Sequence, residues 1–147
     1  MSTRSRTARL APICLLLLTG CVVSNPDPVT VELVNETTGD VTPNLHLSAS
    51  ATDSTGLFDA ANLVTDFTDR GFPELRPGET VRFDVACEDV STLGVRMPIF
   101  FDPVTLLVLD SADEIVTNLD TEFDCGSVVR FVYFRDGDAF RARLEIE

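Results

Sequence analysis

Apolar and polar positions alternate with period two over most of the chain after residue 28, a pattern that predicts strands rather than helices. In the segment 29–35, Val29, Val31 and Leu33 share one face and Thr30 and Glu32 the other. Over 44–49, Leu45, Leu47 and Ala49 point inward, leaving His46 and Ser48 as solvated outward residues, and this second strand suits an antiparallel partner for the first. Val81, Phe83, Val85 and Cys87 fall in phase over 80–87, so the cysteine is expected to face the core, where a bridge linking two sheets would begin. Across 93–101, Val95, Met97, Ile99 and Phe101 alternate with Arg96, Pro98 and Phe100; Pro98 cannot donate to a ladder, which makes this an edge or bulged strand. The nearly continuous apolar run 104–109 reads as a strand covered on both faces. The last two strands, 127–135 and 138–147, flank Asp136-Gly137, a pair suited to a two-residue type I′ turn.

Between these segments lie turn formers. Residues 36–43 close off the first strand, Pro77-Gly78 suits the centre of a type II turn, and Asp102-Pro103 reverses the chain. The segment 57–67 reads two ways: Leu57, Ala60, Ala61, Val64 and Phe67 recur at helical spacing, while a strand over 62–67 is the favoured reading. About seven short strands with no long helix predict an all-β fold, a single antiparallel β-sandwich that is immunoglobulin-like in the broad sense, with a partly closed barrel as the alternative. The folded part, 29–147, has the size of one domain with one core.

The beginning of the chain changes where that domain is expected to live. Arg4, Arg6 and Arg9 precede an apolar run, 10–18, too short to cross a bilayer, and then comes Leu18-Thr19-Gly20-Cys21. These four residues resemble the bacterial lipobox, an aliphatic residue and two small ones before the cysteine that receives a diacylglyceryl group and becomes the new N-terminus. The resemblance implies a lipoprotein signal peptide over 1–20, lipidation at Cys21, and a short tether over 22–28 holding the domain near a membrane. Val22 is not the aspartate that retains some lipoproteins in the inner membrane of enteric-type bacteria. The implied location is therefore the cell envelope, at an outer membrane, facing the periplasm or the exterior. The chain is also similar to small lipoproteins of planctomycete-type bacteria in Val34-Asn35-x-Thr37, in Pro77-Gly78-Glu79 and in Cys125-Gly126, a likeness that brings no activity with it.

Once the segment before Cys21 is set apart, all 24 acidic residues remain against 8 basic ones, a formal charge of minus 16. Such a surface repels phosphate backbones, so nucleic acid is not an expected partner, and the membrane is met through acyl chains rather than a basic patch. Cys14 leaves with the signal and Cys21 takes lipid, so Cys87 and Cys125 are expected to pair in an oxidising compartment. His46 is the only histidine, and no Gly-x-Ser-x-Gly elbow is present, so neither a nucleophile triad nor a blue-copper site is expected. Tyr133 is the only tyrosine and tryptophan is absent, which leaves paired acids without the aromatic platforms of a sugar site.

One acidic stretch offers chemistry. Asp110, Asp113, Glu114, Asp120, Glu122 and Asp124 supply the oxygen ligands calcium takes, although their spacing is not that of an EF-hand loop; a solvated charged loop is the other reading. The function expected from the chain is a non-catalytic, membrane-anchored envelope lipoprotein with an interaction domain, no cofactor and an envelope protein as partner. The alternative is a calcium-dependent or small-ligand-binding module. An apolar patch around residues 99–101 would favour the first, and converging carboxylates the second.

Overall fold

A computed structural model describes residues 26–111 and 113–147. The expected signal peptide over 1–20, Cys21 and residues 22–25 of the expected tether lie outside the described residues. Among the described residues ten strands form three sheets, more than the seven or so expected and not antiparallel throughout.

The four-stranded sheet has the order β10-β9-β1-β4. Strand β1 (Val29–Asn35) sits inside it, antiparallel to β4 (Thr80–Val85) and parallel to β9 (Val128–Asp136), which in turn pairs with β10 (Ala139–Ile146). Period two places Val29, Val31 and Leu33 on the core side, where Val31 meets Phe83 and Val129 across the ladders and Leu33 meets Val81 and Phe131. The opposite side of β1 is polar and nevertheless buried, because long side chains from both neighbours close over it. Glu32 accepts from Arg82 Nη1 at 3.2 Å and from Arg130 Nε at 2.7 Å, and Thr30 donates to Asp84 Oδ1 at 2.8 Å. Opposite charges stand directly across from one another, the arrangement that stabilises neighbouring strands.

The other two sheets are β2-β6-β7 and β3-β5-β8. Their strands are β2 (Asp40–Thr42), β6 (Ile99–Asp102) and β7 (Leu107–Asp110), then β3 (Leu45–Ser48), β5 (Thr92–Val95) and β8 (Ile115–Asn118). The chain passes directly from β2 into β3, from β5 into β6 and from β7 into β8, so three long segments are each broken once and give one strand to either sheet. Two breaks have a visible cause: Pro43-Asn44 and Met97-Pro98 interrupt the ladders, and Asn44 and Met97 take positive φ of 49° and 47°. The expected single strand over 93–101 is therefore two strands in different sheets, and the expected turn over 36–43 contains β2. The second strand pairs with β5 rather than with β1, whose two edges are already taken by β4 and β9.

Local chemistry explains the remaining turns. Pro77-Gly78 forms its turn as expected, with Glu79 N donating to Arg76 O at 3.0 Å and Gly78 at φ 70°. The last hairpin turns one residue later than expected: Asp136 pairs with Ala139, so Gly137 and Asp138 are central. Only Gly137 has positive φ, which suits type II′ rather than type I′. Cys87 and Cys125 form a disulfide with Cα atoms 5.6 Å apart. It joins the end of β4 to the segment entering β9, the two strands that flank β1, so it staples one sheet instead of linking two. Closing a loop of 38 residues removes about 4 kcal/mol of chain entropy from the unfolded state in the entropic account.

Candidate functional site

The register of the two three-stranded sheets decides which side chains face outward. In β3-β5-β8 the rows Leu45, Val95, Ile115 and Leu47, Leu93, Thr117 belong to the core side, which leaves His46, Gly94 and Val116 as an outer row. In β2-β6-β7 the core row is Val41, Phe100, Leu109, and the outer rows are Asp40, Phe101, Val108 and Thr42, Ile99, Asp110.

The chain itself covers the outer row of β3-β5-β8. Residues 53–64 form a short helix α1 (Ser54–Leu57) and a 3-10 turn (Ala60–Asn62), where the favoured expectation was a strand over 62–67. Capping chemistry decided against the strand. Asp53 accepts from Gly56 N at 2.9 Å, Asp59 accepts from Ala61 N at 3.0 Å, and Asn62 Nδ2 donates to Gly56 O and Leu57 O at 3.0 Å each. The segment is fastened to the edge of β3 by Val64 N donating to Leu45 O at 2.9 Å. Leu57 is fully buried against Gly94, where a Cβ would lie 2.5 Å from Ile115 O and 2.7 Å from Leu57 Cδ2.

His46 accordingly does point outward, but it is not solvated: it is 8 % exposed, with Phe58 edge-on to its ring at 5.1 Å. Its Nδ1 lies 3.0 Å from Asn44 O, and a carbonyl only accepts, so Nδ1 carries the proton and Nε2 is the open acceptor of the neutral ring. Burial pushes the imidazole below its ordinary value, partly opposed by the Asn44 carbonyl, and Arg96 lowers it further.

Where the strands break, a cleft of about 440 Å³ opens beside His46. Phe58, Leu63, Met97 and Ile99 make it largely apolar, and Asn44, Arg96 and Asp110 supply polar groups. The two left-handed residues brace one another across it, Asn44 Nδ2 donating to Met97 O at 2.8 Å and Arg96 N to Asn44 O at 3.3 Å. Arg96 lies over the Phe58 ring at 5.5 Å and pairs with Glu114 at 3.1 Å. Among the described residues that line the cleft there is no serine, threonine or cysteine for His46 to activate.

The outer face of β2-β6-β7 has no such cover among the described residues. Phe101 and Val108 stand side by side on it, and the turn beyond carries Val104 at 89 % and Leu106 at 73 % exposure. The expectation of a strand buried on both faces over 104–109 fails here. Asp102 explains the turn, accepting from Val104 N at 2.8 Å and Thr105 Oγ1 at 2.7 Å, contacts that hold its carboxyl below the usual range. The strand starts only at Leu107. Of the large apolar side chains that are exposed among the described residues, Met97, Phe101, Val104, Leu106, Leu107 and Val108 fall within this one hairpin and its approach.

The acidic stretch is dispersed. Asp113 pairs with Arg141 and Glu114 with Arg96, both at 3.1 Å, while Glu122 accepts from Asn118 N at 2.9 Å. Asp110 belongs to β7, Asp120 sits at φ 62°, and Asp124 belongs to the turn closed by Ser127 N on Asp124 O. Among the described residues, no three histidine, cysteine or carboxylate groups are placed to hold a metal ion. Sequence reasoning missed Phe58, Leu63 and Arg96 as cleft residues; the helical spacing of Leu57, Ala60 and Ala61 was the signal that could have found the segment. Among the described residues no helix is long and apolar enough to cross a membrane. No protein-family model, curated protein or solved structure matches the chain.

Proposed function

We propose that this chain is a lipid-anchored, non-catalytic envelope protein. Cys21 carries the lipid, 22–28 is the tether, and the three sheets form one two-layer sandwich that presents the bare outer face of β2-β6-β7 to another protein. The observation that carries the reading is the concentration of exposed apolar side chains on that hairpin, since a soluble surface rarely leaves such a contiguous patch without a use. The likeness of Leu18-Thr19-Gly20-Cys21 to a lipobox supports the anchor, and Val22 in place of the retention aspartate supports the outer-membrane location. Crosslinking intact envelopes and recovering the protein, with Cys21→Ala as control, tests both parts. A partner recovered with the anchored chain and lost with the variant is the expected result; a chain that fractionates as soluble, or that returns only bulk lipid, contradicts it.

The cleft beside His46 favours a second reading, a small-ligand site, because its volume falls within that of pockets that bury small organic groups. Titrating neutral aromatic fragments while following the His46 ring resonances separates the two: saturable shifts confined to His46 and Phe58 support it, and unmoved resonances remove it. A calcium role for the acidic stretch is tested by the melting temperature in chelator and in millimolar calcium, where an unchanged value removes it.

A further inference from the structure

The face of β2-β6-β7 combines a central apolar strip with a carboxylate at each side. Asp40 and Phe101 are directly paired, as are Ile99 and Asp110, so across the sheet the rows read Asp40, Phe101, Val108 and Thr42, Ile99, Asp110. Among the described residues neither Asp40 nor Asp110 forms an ion pair, whereas most of the arginines after Cys21 do. The face also lies at the end of the domain away from the tether. Gly39 packs on Phe100 and its carbonyl accepts from Asn35 Nδ2 at 2.9 Å, while Arg135 lies over Phe100 at 5.4 Å; Asn35 and Arg135 stand at the far ends of β1 and β9. The tether enters at the other end, where Asp27 meets Gly126. Residues 21–25 span at most about 18 Å and β1 alone covers about 23 Å, so an N-terminus at Cys21 does not reach the face.

From this arrangement we infer that the occupant is a segment of a second protein, apolar along its middle and carrying arginine or lysine on both flanks. This deepens the proposed docking role and rests on it. A second copy of the chain would bring the same two carboxylates, and another formal charge of minus 16, against the face. An anionic membrane surface meets the same repulsion. A cationic, apolar segment instead places charges opposite Asp40 and Asp110 while its centre covers Phe101 and Val108, the division between an apolar core and a charged rim found in protein interfaces.

The test uses the full chain purified from cells that make it, in phosphatidylcholine nanodiscs if it partitions with membranes and in buffer if it does not. The probe is a fluorescent peptide of leucine, valine and phenylalanine flanked by arginines, compared with one carrying glutamates in their place. The arginine peptide binds and the glutamate peptide does not. Phe101→Ser with Val108→Ser weakens binding by about tenfold or more, and Asp40→Asn with Asp110→Asn by about threefold to tenfold, while Glu88→Gln with Asp89→Asn changes nothing. Unchanged urea midpoints show that these surface variants remain folded. Equal binding of both peptides, or binding indifferent to the face variants, overturns the inference. So does a concentration-dependent dimer, or adhesion to phosphatidylglycerol vesicles, that Val108→Ser abolishes. A chain that fractionates as soluble yet binds the arginine peptide through this face removes the anchor and leaves the inference standing. An envelope partner retained by the face variants does the reverse.

Discussion

The outer faces of β3-β5-β8 and β2-β6-β7 belong to consecutive stretches of the same three chain segments, yet among the described residues one is covered and the other is not. Over the first, the chain spends residues 53–64 on a capped helical segment that buries Leu57 on Gly94 and Phe58 on His46. Over the second there is no equivalent segment among the described residues, and Phe101, Val104, Leu106 and Val108 are exposed. The difference shows that this fold has the means to cover an outer sheet face. Side chains on the covered half therefore carry folding stability, while the proposed docking role falls to those left bare among the described residues.

Perturbing each half in turn separates these roles. Leu57→Ala removes the side chain that seals the covered half and is expected to lower stability by about 2–5 kcal/mol, seen as a drop in urea midpoint at constant m. Gly94→Ala forces a Cβ against the backbone at Ile115 and is expected to cost about 1–3 kcal/mol, with increased dye binding as the helical segment lifts. His46→Gln tests the cover through proton linkage. The folded imidazole binds protons less readily than the unfolded one, whose ordinary value is 6.5, so the unfolded state takes up more protons as pH falls and wild-type stability declines below that value. The urea midpoint of wild type is expected to fall between pH 7.5 and 5 more than that of His46→Gln; parallel curves would show that the ring is not held neutral. On the bare half, Val104→Ser and Val108→Ser are each expected to change stability by less than about 0.5 kcal/mol. A loss of several kcal/mol there would mean that these residues serve the fold after all.

Much of the covered and uncovered pattern was legible as phase but not as burial. Period two marked 29–35 and the two last strands, ran the strand expected over 80–87 two residues past its end at Val85, and put His46 on the outer side of its strand. Phase says which side a residue faces and nothing about what lies over that side, so the same reasoning left His46 in water and put Val104 and Leu106 under cover. The cover over His46 depends on Asp53, Asp59 and Asn62 satisfying backbone groups of a segment too short to announce a helix. The exposure of the 104–106 turn depends on Asp102 capping it. Strand order was hidden for a different reason: β1 finds its parallel neighbour almost a hundred residues later, a pairing that no local pattern encodes. The disulfide was readable from cysteine inventory, but its geometry followed from that hidden order.

The bare face is tested most directly by placing a photoreactive residue at Val108, and separately at Ile146, an exposed aliphatic at the tether end of the four-stranded sheet, in cells that make the protein. Irradiation is expected to give a discrete protein adduct from position 108 and none from 146. The absence of an adduct at 108, or the same adduct from both positions, would contradict the docking role of β2-β6-β7.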